Sequence, residues 1–352
     1  MRQPSIGSLC SGAGGLDLAV EHVTGGRTIW HAEYDDDAAK VLGTRWPGVP
    51  NHRDITAIDW TRVEPADIVC AGYPCQPFSA AGERKGTDDE RHLWPYVAQA
   101  IRILRPGLVV LENVAGHRSL GFDSVLADLA EMRYVGSWCS LRASDVGATH
   151  RRERLFITAH PYDAARDGQW SRQGPRVGTQ GSTESPDRLE LLPTPQSRDS
   201  RGAANPPGRV RDGRLRTVTD DALPDAVIRN LLPTPRRSDG DGGPNPLTRA
   251  ERMDDVETRV IRLGGRWGKY APAIERWESL TRPAPDPTQL SRNGKHRLAP
   301  AFSEWMMGWP LGWVTAVPIS RSAMLRIIGN GVVPQQAVAA LYWLLSVSEV
   351  AA

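Results

Sequence analysis

The residue with the sharpest chemical character is Cys75, set between prolines in Tyr73-Pro74-Cys75-Gln76-Pro77. A buried cysteine in a core is inert, but this one follows an apolar strand-like run, Asp67–Ala71, in a stiffened loop. A thiolate there is a strong nucleophile. A second apolar run, Leu108–Leu111, leads directly into Glu112-Asn113-Val114. A carboxylate at that edge is either solvated or placed for proton chemistry, and a cysteine at a neighbouring strand end favours the second. Arg152 and Arg154 enter a further apolar run, Leu155–Ala159. Strand alternation predicts both on one side, where they either face water or bind an oxygen or phosphate. Finally, Cys10-Ser11-Gly12-Ala13-Gly14-Gly15 is a turn in which backbone can approach a ligand closely. Glu33 follows it at about the distance where a carboxylate can take both hydroxyls of a ribose; a surface carboxylate is the alternative.

These groups need a scaffold, and the apolar pattern supplies one. Ser5–Leu9, Thr28–His31, Asp67–Ala71 and Leu108–Leu111 read as strands, the last two apolar enough to be buried on both faces. Helices are expected from about Leu16 to Val23, over Asp36–Leu42, and over Trp94–Leu104 with Val97, Ile101 and Leu104 in phase. Alternation of this kind predicts a doubly wound α/β sheet with its ligands at the carboxyl ends of the strands. Between Cys75 and the next helix, Gln76–Leu93 is a long polar loop with Gly82 and Gly86 as hinges. Near the end, Pro334 opens a helix whose Val338, Leu341, Leu344 and Leu345 share a face, predicted to pack back on the first domain.

The composition changes after Pro161. Residues 161–297 hold 16 of the 28 prolines and carry a net charge of +5, against −3 for residues 1–160. The whole-chain value of +2 therefore hides a basic segment suited to phosphate. Of the 43 basic residues only Lys40, Lys85, Lys269 and Lys295 are lysine, which GC-rich codon usage would also produce. The segment repeats itself: Leu191-Leu192-Pro193-Thr194-Pro195 returns as Leu231-Leu232-Pro233-Thr234-Pro235. Asp199, Gly202, Asn205, Pro206 and Arg209 recur at the same offset. Two copies are too few for a solenoid and indicate two similar loop-rich units.

Other classes are disfavoured. Cys10, Cys70, Cys75 and Cys139 show no C-x-x-C pairing, which argues against zinc or a disulfide framework and for no metal. The longest apolar stretch, Ala337–Leu345, is too short to span a bilayer, and no signal core follows Arg2, so a cytoplasmic chain without a membrane partner is expected. The glycines at 12, 14 and 15 miss the G-x-G-x-x-G spacing of a nicotinamide enzyme.

Taken together the motifs resemble the DNA (cytosine-5)-methyltransferase family of prokaryotic and phage type, over about 1–160 and 297–345. Pro74-Cys75-Gln76, Glu112-Asn113-Val114, Arg152-Glu153-Arg154 and Gly329-Asn330-Gly331-Val332 stand in the family's order. The resemblance implies an α/β, Rossmann-like, S-adenosylmethionine-dependent fold with a mixed, mainly parallel sheet and a smaller irregular target-recognition domain. It divides the chain into a catalytic domain 1–162, a recognition domain 163–322 and a completing segment 323–352. Cys75, Glu112, Arg152 and Arg154 are the implied catalytic residues. Cys75 would attack cytosine C6, Glu112 would hold N3 and the exocyclic amine, and the arginines the O2 side. The implied cofactor contacts are Cys10, Gly12, Gly14, Glu33, Tyr34, Asp54, Ile55, Pro74, Leu93, Asn330 and Val332. Cys10 stands where the family commonly has an aromatic, so it lines the pocket without stacking. S-adenosylhomocysteine would be the product, and double-stranded DNA the partner of a monomeric enzyme. Arg198, Arg209, Arg236, Arg237 and Arg249 are candidate base readers. The alternatives are an RNA cytosine-5 methyltransferase of the same family and a catalytically silent DNA-binding protein.

Overall fold

The computed structural model describes residues 2–74, 93–119, 121–162, 195, 210–211, 214–215, 267–291 and 296–350. Cys75, the loop glycines 82 and 86, and the repeat apart from Pro195 lie outside the described residues. The chain divides into two compact units. The first comprises Met1–Arg142, Glu153–Gly181 and Gly331–Ala352; the second comprises Ala143–Arg152 and Ser182–Asn330.

Six strands build the first unit: β1 (Ser5–Leu9), β2 (Arg27–Ala32), β3 (Ile68–Ala71), β4 (Leu108–Val114), β5 (Tyr134–Arg142) and β6 (Glu153–Pro161). Their order in the sheet is β2-β1-β3-β4-β6-β5. The first four neighbours pair in parallel, whereas β6 runs antiparallel to both β4 and β5. The mixed, mainly parallel sheet is thus present, with one reversed strand. That reversal matters for the site, because it brings the first residues of β6 to the edge where β1, β3 and β4 end.

β3 and the apolar run of β4 are buried on both faces, as predicted. Leu9, Val69, Ala71, Val109, Leu111, Leu155 and Ile157 pack on one face with Val97 and Ile101 of α3 (Trp94–Leu104) and Val125 and Leu129 of α4 (Phe122–Glu131). The alternate residues Ile6, Cys70, Val110 and Phe156 face α1 (Gly15–Thr24) and the last helix, Pro334–Val350. That helix buries Ala337, Leu341 and Leu344 beside Leu16 and Val20 of α1, so it does pack back on the first unit. The helix α2 (Asp36–Arg45) starts where the Asp35 side chain accepts the N–H groups of Asp37 and Ala38. β4 is longer than its apolar run suggests: it continues through Glu112 to Val114.

The second unit is held by aromatics. Its described helices are α5 (Ala271–Leu280), α6 (Pro300–Met306) and α7 (Arg321–Asn330); the C-terminal helix of the first unit is therefore α8. Trp277, Phe302 and Trp305 are fully buried. The Trp305 ring lies 5.4 Å from Phe302, and its carbonyl accepts the Trp277 indole N–H at 2.9 Å. Glu304, also fully buried, accepts the backbone N–H groups of Gly312, Val314 and Thr315 and the Thr315 hydroxyl. Small antiparallel pairs, β7 (Val210–Arg211) with β8 (Arg214–Leu215) and β9 (Thr288–Leu290) with β10 (His296–Leu298), complete its described elements. Among the described residues no helix is long and apolar enough to cross a membrane.

Candidate active site

At the end of β1 the chain turns through three left-handed residues, Cys10 (φ 51°), Gly12 (φ 56°) and Gly14 (φ 80°), before α1 begins. Left-handed backbone costs a residue with a Cβ about 1–2 kcal/mol. Gly12 and Gly14 avoid that cost, while Cys10 is held there by its N–H on the Ala32 carbonyl at 2.9 Å. A Cβ on Gly14 would stand 2.4 Å from the Trp46 ring. One on Gly12 would meet nothing within 4 Å, so the turn opens onto free space that a ligand can occupy.

Glu33, just beyond β2, faces this turn. One of its oxygens accepts the Gly12 N–H at 2.8 Å and the other the Asp35 N–H at 2.8 Å. Burial pushes its carboxyl above the ordinary carboxylate range, against the pull of the Asp35 and Gly12 N–H groups. Each oxygen retains a lone pair, which suits the two hydroxyls of a ribose. Tyr34 beside it leaves 73% of its surface exposed, an aromatic plate open to a planar partner. Asn51, which the motif spacing did not single out, fixes Glu33. Its side-chain oxygen accepts the Glu33 N–H and its amide donates to the Glu33 carbonyl. The only local hint of this role is its place three residues before Asp54. Asp54 accepts the Thr56 N–H and hydroxyl, which hold its carboxyl below the usual range, and Ile55 beside it is buried.

The segment bearing Cys75 is fastened at both described ends. Gly72 donates to the Leu9 carbonyl at 3.3 Å, and the Asn113 amide donates to the Tyr73 carbonyl at 3.2 Å. The Tyr73 hydroxyl meets His117 Nε2 at 3.0 Å. The Tyr73 ring also lies 5.4 Å from that of Trp94, the first residue of α3 after Leu93. Pro74 and Leu93, both half-buried, therefore bracket residues 75–92 beside an aromatic contact. Asn113 thus holds the backbone two residues before Cys75, a role that its motif did not specify.

Glu112 and Arg154 meet across β4 and β6. Val114 pairs with Arg154 and Glu112 with Phe156, so the arginine reaches diagonally on the same face. Arg154 Nε stands 2.9 Å from Glu112 Oε1, with 16% and 14% of the two side chains exposed. A methyl group on Gly72 would lie 3.7 Å from both Glu112 Oε2 and the Cys10 carbonyl. The glycine turn, the root of the cysteine segment and the Glu112–Arg154 pair thus converge on one strand edge.

Arg152 does not follow the predicted alternation. It precedes β6 with φ 27°, belongs to the second unit, and donates to the carbonyls of Pro195 and Gly329 at 3.0 and 3.1 Å. Asn330 ends α7 in the second unit, and Val332 is buried in the α1/α8 core of the first. Burial keeps the three described cysteines as thiols. Cys10 is pushed up to about 12 by burial and then by Glu33, Cys139 to about 11, and Cys70 well above its ordinary value. None of them is a nucleophile at neutral pH. No group of three His, Cys, Asp or Glu side chains among the described residues is arranged to hold a metal ion.

Comparison with known proteins agrees with this geometry. The family model described as C-5 cytosine-specific DNA methylase matches residues 5–342. The Type II methyltransferase M.HgiCII of Herpetosiphon aurantiacus is 34% identical over 163 residues, which is 45% of this chain and 37% of that protein. The match thus spans well under half the length of that relative. The S. pombe Dnmt2 methyltransferase structure shares the fold, with a TM-score of 0.53 at 14% identity over 97% of this chain and 98% of that one. The Entamoeba histolytica methyltransferase EhMeth does so with a TM-score of 0.52 at 15% identity, covering 98% of each chain. With its family model spanning almost its whole length, the chain belongs to the C-5 cytosine-specific DNA methylase family.

Proposed function

We propose that the protein methylates C5 of a cytosine flipped out of double-stranded DNA, through a covalent bond between Cys75 and C6. The observation that carries this reading is the Glu112–Arg154 pair beside Gly72, three residues before Cys75. Cytosine C5 is a weak nucleophile, so the ring must first be activated. The Cys75 thiolate adds to C6, and the electron pair of the C5–C6 bond moves into the ring toward N3 and O2. Glu112, as the protonated acid or through a shared proton, stabilises the charge at N3 and holds the exocyclic amine. Arg154, already aligned by Glu112, offers its remaining N–H groups to O2. S-adenosylmethionine, when bound, supplies the electrophilic methyl group that C5 takes. Loss of the C5 proton to a base and expulsion of the Cys75 thiolate then restore the aromatic ring. Because C6 is inaccessible in a base stack, the cytosine is extruded, at a cost of a few kcal/mol.

The cofactor residues present fit that group. The free space at Gly12, the left-handed Gly14, the two oxygens of Glu33, the open Tyr34 ring and the capped Asp54 beside Ile55 suit a nucleoside. Cys10, Pro74, Leu93 and Val332 would complete its apolar surroundings, and Asn330 is added on its motif alone. We assign target recognition to the basic residues 163–322, and catalysis to 1–162 with 323–352. The enzyme would act as a cytoplasmic monomer, in restriction–modification or in protection of phage DNA.

The test is adduct trapping. Duplex DNA containing 5-fluorocytosine, incubated with S-adenosylmethionine, should give a covalent complex with the protein that Cys75→Ala loses entirely. An intact protein that forms no adduct while transferring methyl groups to cytosine would overturn the covalent route. Bisulfite sequencing of DNA from expressing cells reads the target site, and transfer to RNA but not to duplex DNA would overturn the substrate.

A further inference from the structure

Beside the glycine turn lies a buried acid–imidazole pair that neither the motifs nor the reaction uses. His31 Nε2 of β2 stands 3.4 Å from Asp17 Oδ1 of α1, and 1% of each side chain is exposed. Among the described residues, neither Asp17 oxygen nor His31 Nε2 has a hydrogen-bond partner. Glu21, one turn further along α1, is the opposite case. Its Oε1 accepts the Thr28 N–H and hydroxyl and the Trp46 indole N–H, at 2.9, 2.7 and 2.9 Å. A buried acid and imidazole with only each other for company add little to stability, since apolar residues of the same volume hold a fold as well. What such a contact supplies is direction: it admits one arrangement of the two elements that bear it.

Each partner stands next to one end of the candidate cofactor site. Asp17 is in the first turn of α1, which begins directly after Gly14 and has no side-chain cap. A carboxylate in a first helical turn ordinarily serves the free N–H groups of its own helix. Asp17 is directed at His31 instead, and the helix start with the open space at Gly12 suits an anionic group such as the carboxylate of an amino acid. His31 lies two residues before Glu33, whose oxygens suit a ribose. Its N–H donates to the Pro50 carbonyl at 2.9 Å and its carbonyl accepts the His52 N–H at 2.7 Å, so it also holds the segment that carries Asn51 and Asp54. The Trp46 ring completes the arrangement. It lies 5.2 Å from the His31 ring and packs on Gly14, where a Cβ would stand 2.4 Å from it.

We propose that Asp17 and His31 are positioning residues for S-adenosylmethionine: their contact sets the distance between the glycine turn, which takes the amino-acid end, and Glu33, which takes the ribose. The inference rests on the cofactor site proposed above and adds two residues that do not line it. A ligand that spans both ends depends on that distance, whereas one confined to the nucleoside end does not. Misplacing one end by about 1 Å is enough for a large loss.

The experiment compares two ligands on the full chain by calorimetric titration. S-adenosylhomocysteine spans both ends, and 5′-methylthioadenosine has the nucleoside without the amino acid. Asp17→Ala, which removes one partner, should weaken S-adenosylhomocysteine binding roughly tenfold and leave that of 5′-methylthioadenosine within about twofold. Asp17→Asn, which can still hydrogen-bond the imidazole, should hold both affinities within about threefold. The paired change of Asp17→Leu with His31→Leu fills the space with apolar groups and serves if Asp17→Ala does not fold. Its unfolding midpoint should match that of the unaltered protein while its S-adenosylhomocysteine affinity stays about tenfold weaker. Equal weakening of the two ligands would show a general loosening of the fold and overturn the inference. So would S-adenosylhomocysteine affinity unchanged in both Asp17→Ala and the paired variant. An unaltered protein that binds neither ligand removes the cofactor site and this inference with it; one that binds both, with variants that do not tell them apart, removes this inference alone.

Discussion

Glu112 in the first unit and Glu304 in the second are both drawn into folded surroundings, and both have an arginine within 4.0 Å. Glu304 is fully buried, and its two oxygens receive three backbone N–H groups and a hydroxyl from the Gly312–Thr315 stretch. A carboxylate used in this way is a fixed staple with little left to offer a ligand. Glu112 instead stands at a strand edge with 14% of its side chain exposed, paired with an arginine whose fork has further donors. The contrast separates a carboxylate that closes a loop from one that aligns an arginine at the edge where the strands end. In the first unit the charge is set where the strands end; in the second it is enclosed by the backbone of Gly312–Thr315.

Substitution at each carboxylate tests the contrast, and the largest effect is expected at Glu112. Glu112→Gln keeps a hydrogen-bond acceptor for Arg154 but removes the group that answers charge at N3. Its turnover should fall by about 10²–10³-fold with little change in thermal unfolding. An activity within a few-fold of the unaltered protein would remove Glu112 from the mechanism. Glu304→Gln should behave the opposite way. The new amide turns a donor toward N–H groups or the Thr315 hydroxyl, costing about 3 kcal/mol and lowering the unfolding midpoint followed by tryptophan fluorescence. A midpoint equal to that of the unaltered protein would show that the buried staple contributes nothing.

The smallest effect is expected at Glu33. Its folded carboxyl titrates above the ordinary 4.5, and ribose hydroxyls donate best to the ionised form. Cofactor binding therefore favours proton loss, so affinity for S-adenosylhomocysteine is full above the raised value and weakens as pH falls through it toward 4.5. The same raised value means that ionised Glu33 is a slight burden on the free fold, largest at neutral pH and relieved by protonation. Calorimetric titration across this range should show a few-fold step that Glu33→Gln abolishes. A flat profile in the unaltered protein would place the ribose elsewhere.

Much of the first unit was legible because each of its early strands is an apolar run and each helix has its own period. The chemistry was legible where a polar residue terminates such a run, as Glu112 does after Leu111. β5 is not legible for a physical reason: it is an edge strand whose residues are mostly half-exposed, so neither alternation nor an apolar run marks it. The second unit's core escaped too, since Trp277, Phe302 and Trp305 meet through rings and indole N–H groups rather than by a regular period. Asn51 and Arg152 depend on partners distant in the chain, and no local pattern reports those. Alternation placed Arg152 with Arg154 because it assumes extended backbone, which a φ of 27° breaks.

The contact between Tyr73 and Trp94 has a consequence for the length of chain that can lie between them. With both ends of a segment anchored by the scaffold, the entropy of bringing them together is carried by the fold. Lengthening the segment then adds only about 0.6 kcal/mol for each doubling. A change of length beyond Cys75 is therefore a small entropic matter for the scaffold, and Gly72, Asn113 and Glu112 are expected to keep their positions through it.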